Sequence, residues 1–386
     1  MKSNYNQLGQ YIEMVSRTNS DLKYGIEDVR GCSNTKQMMQ TRANLIGRTY
    51  EKFIVLRPQE FVFNRRTTRN GEKIGMAYNN TDREYIFTND YVAFRVKQEY
   101  LDKLLPDYLY LFFCRDEFDR YARYKSTGSA TEFFNWEDMC AVPFEIPPMD
   151  FQQLVVNAYK VLNKRIETKQ KINDNLATQA LTLFSDFVSH LSKKLEQRKL
   201  GDVIASANTG GDAIQKVPIV DYDTGIKCAR VGDITNAREH ASWAFCNASK
   251  SVYDNYKLQA GDILVTRTAT LGITQYIAKD ISAVYNNGLI RLKVNDTNAL
   301  PLYIYWAMKT SDFLNYINQM NSATSVRPNM KIDYLLNYQL SIPSIEEQTQ
   351  FTNTVEPLMN AISLNNDEIL KLSEFQAIIL TTLSSR

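Results

Sequence analysis

The sequence predicts an α+β chain: two mixed α/β globular parts separated by a pair of long antiparallel coiled-coil helices, laid out as a pseudo-two-fold tandem duplication. Three observations carry this. First, Ile146-Pro147-Pro148 stops one structure, and a run without Gly or Pro extends from Asp150 to about Leu191. Apolar or small residues recur along it in steps of three and four: Val155, Tyr159, Leu162, Ile166, then Leu176, Ala180, Leu183 and Phe187. That spacing belongs to a helix packed along one seam against another helix. Second, a matching run closes the chain, about Glu346–Leu383, with Phe351, Val355, Leu358, Ile362, Asn365, Ile369, Leu372, Gln376, Ile379 and Leu383 in continuous register. Third, the chain repeats itself in order.

The repeat begins with Leu8-Gly9, which pairs with Leu200-Gly201, and Arg65 can be laid against Arg267. Leu105-Pro106-Asp107-Tyr108-Leu109-Tyr110 matches Leu300-Pro301-Leu302-Tyr303-Ile304-Tyr305, and Phe118 and Tyr121 match Phe313 and Tyr316. Ile146-Pro147 then meets Ile342-Pro343, Gln152 meets Gln348, and Val155-Tyr159-Leu162-Ile166 falls on Phe351-Val355-Leu358-Ile362. Chance supplies one such match, not five in the same order. The globular parts span 1–149 and 196–345, and the helices 150–195 and 346–386. Each helix of roughly 40 residues would be on the order of 60 Å long. Duplication about a pseudo-two-fold axis makes the rods antiparallel.

Each globular part opens with short strand-like runs rich in aromatic and β-branched residues. In the first these are Phe53-Ile54-Val55-Leu56, Phe61-Val62-Phe63 and Tyr91–Val96; in the second, Asp262-Ile263-Leu264-Val265 and Leu289–Val294. An aromatic helix follows in each, about Asp107–Tyr124 and Leu302–Met320, its rings assigned to the core. In the rods, Lys169, Asn173, Asn365 and Gln376 interrupt the apolar seam. Polar seam residues either fix register at some loss of stability or simply face water at those turns.

Composition narrows the function. The 386 residues exceed one typical core, and 44% hydrophobic with 23% charged content is ordinary for a globular protein. No run is apolar enough for a membrane span, and the polar start Met1-Lys2-Ser3-Asn4-Tyr5-Asn6 lacks a signal-peptide core, so a cytoplasmic protein is expected. Five cysteines (Cys32, Cys114, Cys140, Cys228, Cys246) without a CxxC pair read as reduced, buried thiols, and two histidines make no metal cluster. There is no GxxxxGK[ST] phosphate loop, no GxGxxG turn after a strand, and no Asn/Asp-Pro-Pro-aromatic segment of the amino-methyltransferase kind. A non-catalytic scaffold or recognition role is therefore expected.

Net charge is only +2, but eight Lys/Arg against three Glu lie between Arg42 and Gly75. The loop Asn64-Arg65-Arg66-Thr67-Thr68-Arg69-Asn70-Gly71, with Lys73 beyond it, carries residue types that read bases and grip phosphates. The second copy offers Thr266-Arg267-Thr268-Ala269-Thr270. Lys125-Ser126-Thr127 and Ser325-Val326-Arg327, after the aromatic helices, are further candidates. Any one of these could be a solvated loop residue; their equivalent placement in two copies suggests a pair of DNA-reading heads.

The duplicated plan and the junctions into the two rods resemble the specificity (S) subunit of type I restriction–modification systems. The junctions are Asn135-Trp136-Glu137-Asp138-Met139 … Phe144-Glu145-Ile146-Pro147-Pro148-Met149-Asp150-Phe151-Gln152 and Lys331-Ile332-Asp333-Tyr334-Leu335 … Leu340-Ser341-Ile342-Pro343-Ser344-Ile345-Glu346-Glu347-Gln348. The turn Asp262-Ile263-Leu264-Val265-Thr266-Arg267 … Leu271-Gly272 also resembles one frequent in that family's recognition domains. The first copy departs with Asp150-Phe151-Gln152 in place of Glu-Glu-Gln, and Ser344 replaces the second proline of the second.

The resemblance implies two target-recognition domains, each reading half of a bipartite sequence in double-stranded DNA. It implies that the helices dock modification (M) subunits carrying S-adenosylmethionine, and that restriction (R) subunits using ATP and Mg would join them. No cofactor is expected in this chain. Leu154, Leu162, Ile166, Leu176, Leu183, Val355, Leu358, Ile362, Ile369 and Leu372 form the seam and docking set, and Leu154, Met359 and Ile378 offer surface to partner helices. The competing expectation is a coiled-coil adaptor whose globular ends bind proteins rather than DNA.

Overall fold

The computed structural model describes residues 6–41, 45, 47–66, 73–128, 132–191, 197–323 and 328–383, without the side chains of 320–323. The chain divides into two compact units, residues 1–165 with 372–386, and residues 166–371.

Each unit is built on the same four-stranded antiparallel sheet. In the first its order is Ile12–Val15, Tyr91–Val96, Phe61–Asn64, Met76–Tyr78; in the second, Ile204–Thr209, Leu289–Val294, Ile263–Thr266, Thr274–Tyr276. Register agrees as well as order: Phe61 faces Phe94, and Ile263 faces Leu292. Alternation along the strands sends Phe61, Phe63, Phe94 and Val96 to the helical side and Val62, Ala77 and Ala93 to the other. Ile263, Val265, Ile290 and Leu292 divide from Leu264 and Leu289 in the same way in the second unit. Both faces are thus buried, one by helices and one by smaller sheets.

The single aromatic helix expected over Asp107–Tyr124 is in fact two, Pro106–Phe113 and Asp116–Lys125, and its counterpart is Pro301–Ala307 followed by Ser311–Ala323. Arg115 breaks the first by taking an extended conformation. Its guanidinium turns back, Nε donating to the Phe112 carbonyl at 3.0 Å and the group lying 4.0 Å from the centre of the Phe112 ring. Thr310 plays that part in the second unit, its hydroxyl donating to the Ala307 carbonyl at 2.8 Å. The bend lets Phe112, Phe113 and Phe118 all enter one core.

The duplication extends to the junctions. Leu8 donates its N–H to Val142 at 2.9 Å, and Leu200 does so to Tyr338 at 2.7 Å. The glycine after each lets a short helix approach: a Cβ on Gly9 would lie 2.7 Å from Cys140 Cβ, and one on Gly201 would lie 3.3 Å from Leu336 Cβ.

The long helices run Met149–His190 and Ile345–Thr382. The closing helix continues through Pro357, which removes one backbone donor. Within the second unit the two helices are antiparallel, Phe184 packing on Phe351 with ring centres 5.2 Å apart. Farther along, Lys169 donates to Asn365 at 2.8 Å, Asn365 to Asn173 at 2.8 Å, and Asn173 to Asn366 at 2.6 Å. Within the first unit Gln376 donates to Asn163. Lys169, Asn173 and Asn365 therefore meet one another across the pair, while Gln376 meets Asn163. Val155, Val355 and Leu372 are buried in the seam; Leu162, Ile166, Leu176, Leu183, Leu358, Ile362 and Ile369 are half-buried. Phe184, only 3% exposed, is an anchor that the heptad spacing passed over. Met359, expected as free surface, packs instead against the second unit's core.

Candidate nucleic-acid interface

In the first unit the strand Phe61–Asn64 ends in a turn, the Asn64 side chain accepting the Arg66 N–H at 3.0 Å. The Arg65 carbonyl accepts the N–H of Phe134 at 2.9 Å. Phe133 bridges to Arg66 on one side and to Thr127 on the other. Two loops far apart in sequence, Asn64–Arg66 and Lys125–Thr127, are thereby brought to one place. The second unit repeats the arrangement: the Arg267 carbonyl accepts the N–H of Met330 at 2.8 Å, and Thr268 bridges to Asn329. Phe134 and Met330 are both wholly buried, so each arginine backbone is anchored to the core.

The side chains differ. Arg65 is exposed and makes no ion pair or side-chain hydrogen bond with the described residues. Arg66 stands 3.8 Å from Asp90, and Lys73 lies 3.6 Å from Asp116, both at the surface. Such exposed pairs hold their partners weakly and leave them able to exchange for phosphate. Arg267 is half-buried, donating from Nε to the Met330 carbonyl at 3.1 Å and from its terminal nitrogen to the Asn287 carbonyl at 3.2 Å.

Lys125 lies 5.9 Å from the Tyr121 ring and 5.8 Å from Tyr124. Ser126 donates to the Ala122 carbonyl at 2.7 Å. Tyr124, placed in the core from sequence, is instead 82% exposed beside this loop. Thr266 corrects the expectation in the other direction. It is wholly buried, its hydroxyl accepting the Ile273 N–H at 3.0 Å, so it shapes the loop and reaches nothing outside. Thr268 is half-buried, and Thr270 is exposed just after Ala269, whose φ of +62° turns the chain. Arg69 and Arg327 lie outside the described residues.

A buried knot holds the far end of the first loop. Lys36, in left-handed backbone at φ +62°, inserts its ammonium against Asp119 and donates to the Ile74 carbonyl at 3.0 Å. Asp119 also accepts the Ile74 N–H at 3.0 Å. Burial pulls the Lys36 ammonium below its ordinary pKa, with Asp119 opposing that shift. The second unit has a shorter connection, closed by Gly272 N–H to the Thr266 carbonyl at 2.9 Å.

The first unit also carries an open apolar groove of about 540 Å³ between its two long-helix segments, lined by residues including Leu154, Val161, Phe375 and Ile378. These four are 68%, 66%, 56% and 56% exposed. Among the described residues no group of three His, Cys, Asp or Glu could hold a metal, and no helix is long and apolar enough to cross a membrane. All five cysteines are free thiols, Cys228 and Cys246 buried and the other three half-buried.

A family model described as the type I restriction modification DNA specificity domain matches the chain twice, over residues 33–178 and 192–374. No curated protein matches it significantly. Among solved structures, the type I restriction–modification system S subunit from M. genitalium aligns with a TM-score of 0.51 at 14% identity, covering 98% of this chain and 96% of that one. A chain from structures of the complex assembly and conformational transition of the type I R-M system gives 0.42 at 14% identity, over 98% and 96%. The HsdS subunit from Thermoanaerobacter tengcongensis gives 0.35 at 16% identity, over 98% and 95%.

Proposed function

As the chain belongs to the type I restriction–modification DNA specificity family, we propose that it is the non-catalytic specificity subunit of such a complex, each unit reading one half of a bipartite DNA target. The observation that carries this reading is the pair Arg65 and Arg267. They leave the same strand of the same sheet and are anchored through the same backbone bond to Phe134 and Met330. Two heads that present a guanidinium from an equivalent, rigid position suit recognition of two separated half-sites. Arg66, Lys73, Lys125, Ser126, Thr127, Thr268 and Thr270 would add phosphate and base contacts, and Arg69 and Arg327 complete the proposed set.

The long helices would act as ruler and docking post. A helix of 42 residues is about 63 Å long, enough to govern which half-site separation both heads can span. The groove at Leu154, Val161, Phe375 and Ile378 supports docking of a modification subunit, because so much apolar side chain at one place marks an interaction surface. S-adenosylmethionine would reside on that subunit, and ATP and Mg on a restriction subunit, within a cytoplasmic complex.

The test is a mobility shift of duplex DNA by the complex reconstituted with its modification subunits, across a salt series. Phosphate contacts release counterions, so affinity should fall steeply with salt and depend on sequence. Binding indifferent to both salt and sequence would favour the protein-binding adaptor instead. Deleting one heptad from both helices should shift the preferred spacer or abolish binding; an unchanged preference would remove the ruler.

A further inference from the structure

We propose that Asn89 and Asn287 are base-reading residues, one in each half of the duplication, working beside Arg65 and Arg267. This assignment rests on the DNA-reading role above and adds residues that charge alone does not single out. Each lies in the tight turn leading into the last strand of its sheet. One turn joins Tyr85–Phe87 to Tyr91–Val96, with the Tyr91 N–H donating to the Thr88 carbonyl at 3.2 Å. The other joins Ala283–Tyr285 to Leu289–Val294, with the Leu289 N–H donating to Asn286 at 3.1 Å. Asn89 and Asn287 hold the same place in the two.

The sheet register puts both turns where the arginines emerge. Tyr91 pairs with Asn64, next to Arg65, and Leu289 pairs with Thr266, next to Arg267. In the second unit the ladder runs one step further, the Arg267 N–H donating to Gly288 at 2.9 Å. Its guanidinium then grips the Asn287 carbonyl at 3.2 Å. The Asn287 N–H donates to Gly211 at 2.8 Å, and a Cβ on Gly288 would sit 2.5 Å from Val231 Cγ2, so the turn is held closely on both sides. In the first unit Arg66 reaches Asp90, the neighbour of Asn89, at 3.8 Å.

Asparagine is common in turns for reasons unrelated to recognition, because it tolerates left-handed backbone and bonds its own main chain. Neither reason applies here. Neither residue has a positive φ, and in the second turn it is Asn286 whose side chain accepts the Gly288 N–H, at 3.1 Å. Both carboxamides are exposed and engage no described residue. A short, rigidly based amide with one donor face and one acceptor face matches adenine N7 and N6 in the major groove, and an adjacent guanidinium suits guanine or phosphate. The chemistry recognised is an adenine edge in duplex DNA, once per half-site.

The experiment is selection from duplexes randomised at every position, using the complex with its modification subunits and comparing wild type with Asn89→Ala and Asn287→Ala. Each variant should lose at least about tenfold discrimination at one base pair, in a different half of the motif, with the other half unchanged. The salt dependence of binding should stay at the wild-type slope, since no phosphate contact is removed. Variants that select the wild-type motif, or that lose affinity equally for every sequence, would overturn the assignment. A wild-type complex that selects no motif would overturn the DNA-reading role, and the assignment with it.

Discussion

Gln152, wholly buried at the start of the central helix, accepts the backbone N–H of Leu105 at 2.9 Å across the junction between globular part and rod. Its amide nitrogen donates to the carbonyls of Lys103 at 2.7 Å and Pro147 at 2.8 Å. Gln348 repeats this in the second unit, accepting the Leu300 N–H at 2.7 Å and donating to Pro343 at 2.9 Å. One side chain in each copy thus ties a helix to the segment that opens the aromatic helices. Gln152→Leu would leave three partly buried backbone groups without their partner and should destabilise the chain by about 2–4 kcal/mol, with Gln348→Leu slightly milder. Urea unfolding of the two variants checks this; a loss below roughly 0.5 kcal/mol would mean water replaces the amide.

This relationship explains which parts of the fold were legible. Gln152 and Gln348 stood out because both follow a proline stop at the same phase of a helix. The strands Tyr91–Val96 and Leu289–Val294 were readable to the residue from their aromatic and β-branched content. The break at Arg115 was not, because nothing in its local propensity opposes a helix; the bend follows from packing of Phe112, Phe113 and Phe118. Phe184 was missed because a straight helix drifts from a 3.5-residue repeat, carrying the buried face one position along. At the interface, sequence could select arginine but could not tell Arg65, turned outward, from Arg267, half engaged by its own backbone. Thr266 went wrong for the same reason, since a threonine before an exposed loop reads alike whether its hydroxyl points in or out.

The contrast between the arginines gives a prediction. Arg65→Ala should weaken DNA binding and lower the salt slope by about one while leaving stability within roughly 0.5 kcal/mol. Arg267→Ala removes two hydrogen bonds to the Met330 and Asn287 carbonyls and should also destabilise the second unit by about 1–2 kcal/mol. Salt-series binding and thermal melting on the same preparations separate the two effects. Equal melting temperatures for both variants would contradict the structural half of Arg267's role.

The knot at Lys36 and Asp119 should behave as a buried pair whose halves depend on each other. Lys36→Met leaves the buried Asp119 carboxyl without its partner and should destabilise by about 3–5 kcal/mol. Lys36→Met with Asp119→Leu should recover most of that loss in denaturant titrations, because two apolar groups of similar size replace the pair. Failure of the double variant to recover would mean that the hydrogen bond Asp119 accepts from the Ile74 N–H matters more than the charges.

Lys309 sets a pH dependence. Its ammonium donates to the Thr274 carbonyl at 2.8 Å and lies 5.0 Å from the Tyr305 ring, and burial pushes its pKa down to about 8. Between that value and its ordinary 10.5 the unfolded chain binds a proton that the folded chain does not. Stability of the second unit should therefore rise with pH across this window, by about 1–3 kcal/mol, and the full penalty of the charge should persist below pH 8. Lys309→Met should flatten that rise. Urea midpoints at pH 7 and 9.5 for both proteins measure it, and parallel pH profiles would exclude Lys309 as the cause.

The groove on the first unit's helices yields the test that best separates folding from assembly. Leu154 and Ile378 are 68% and 56% exposed, so replacing both by glutamate removes little buried area and should leave stability within about 0.5 kcal/mol. Val155, one residue away and buried, is the contrasting position, where Val155→Ala should lower stability by about 1–3 kcal/mol. If the groove seats a modification subunit, two anchors of about 1–2 kcal/mol each are lost on assembly, and affinity should fall about 30- to 1000-fold. DNA binding by whatever complex still forms at high subunit concentration should keep its sequence preference, because the loops proposed to read DNA are untouched. Sedimentation of the chain mixed with modification subunits measures the first effect, and the shift of labelled duplex measures the second. Assembly unchanged by Leu154→Glu with Ile378→Glu would place the partner elsewhere, whereas assembly lost together with the fold would mean that the exposed leucine and isoleucine belong to the seam after all.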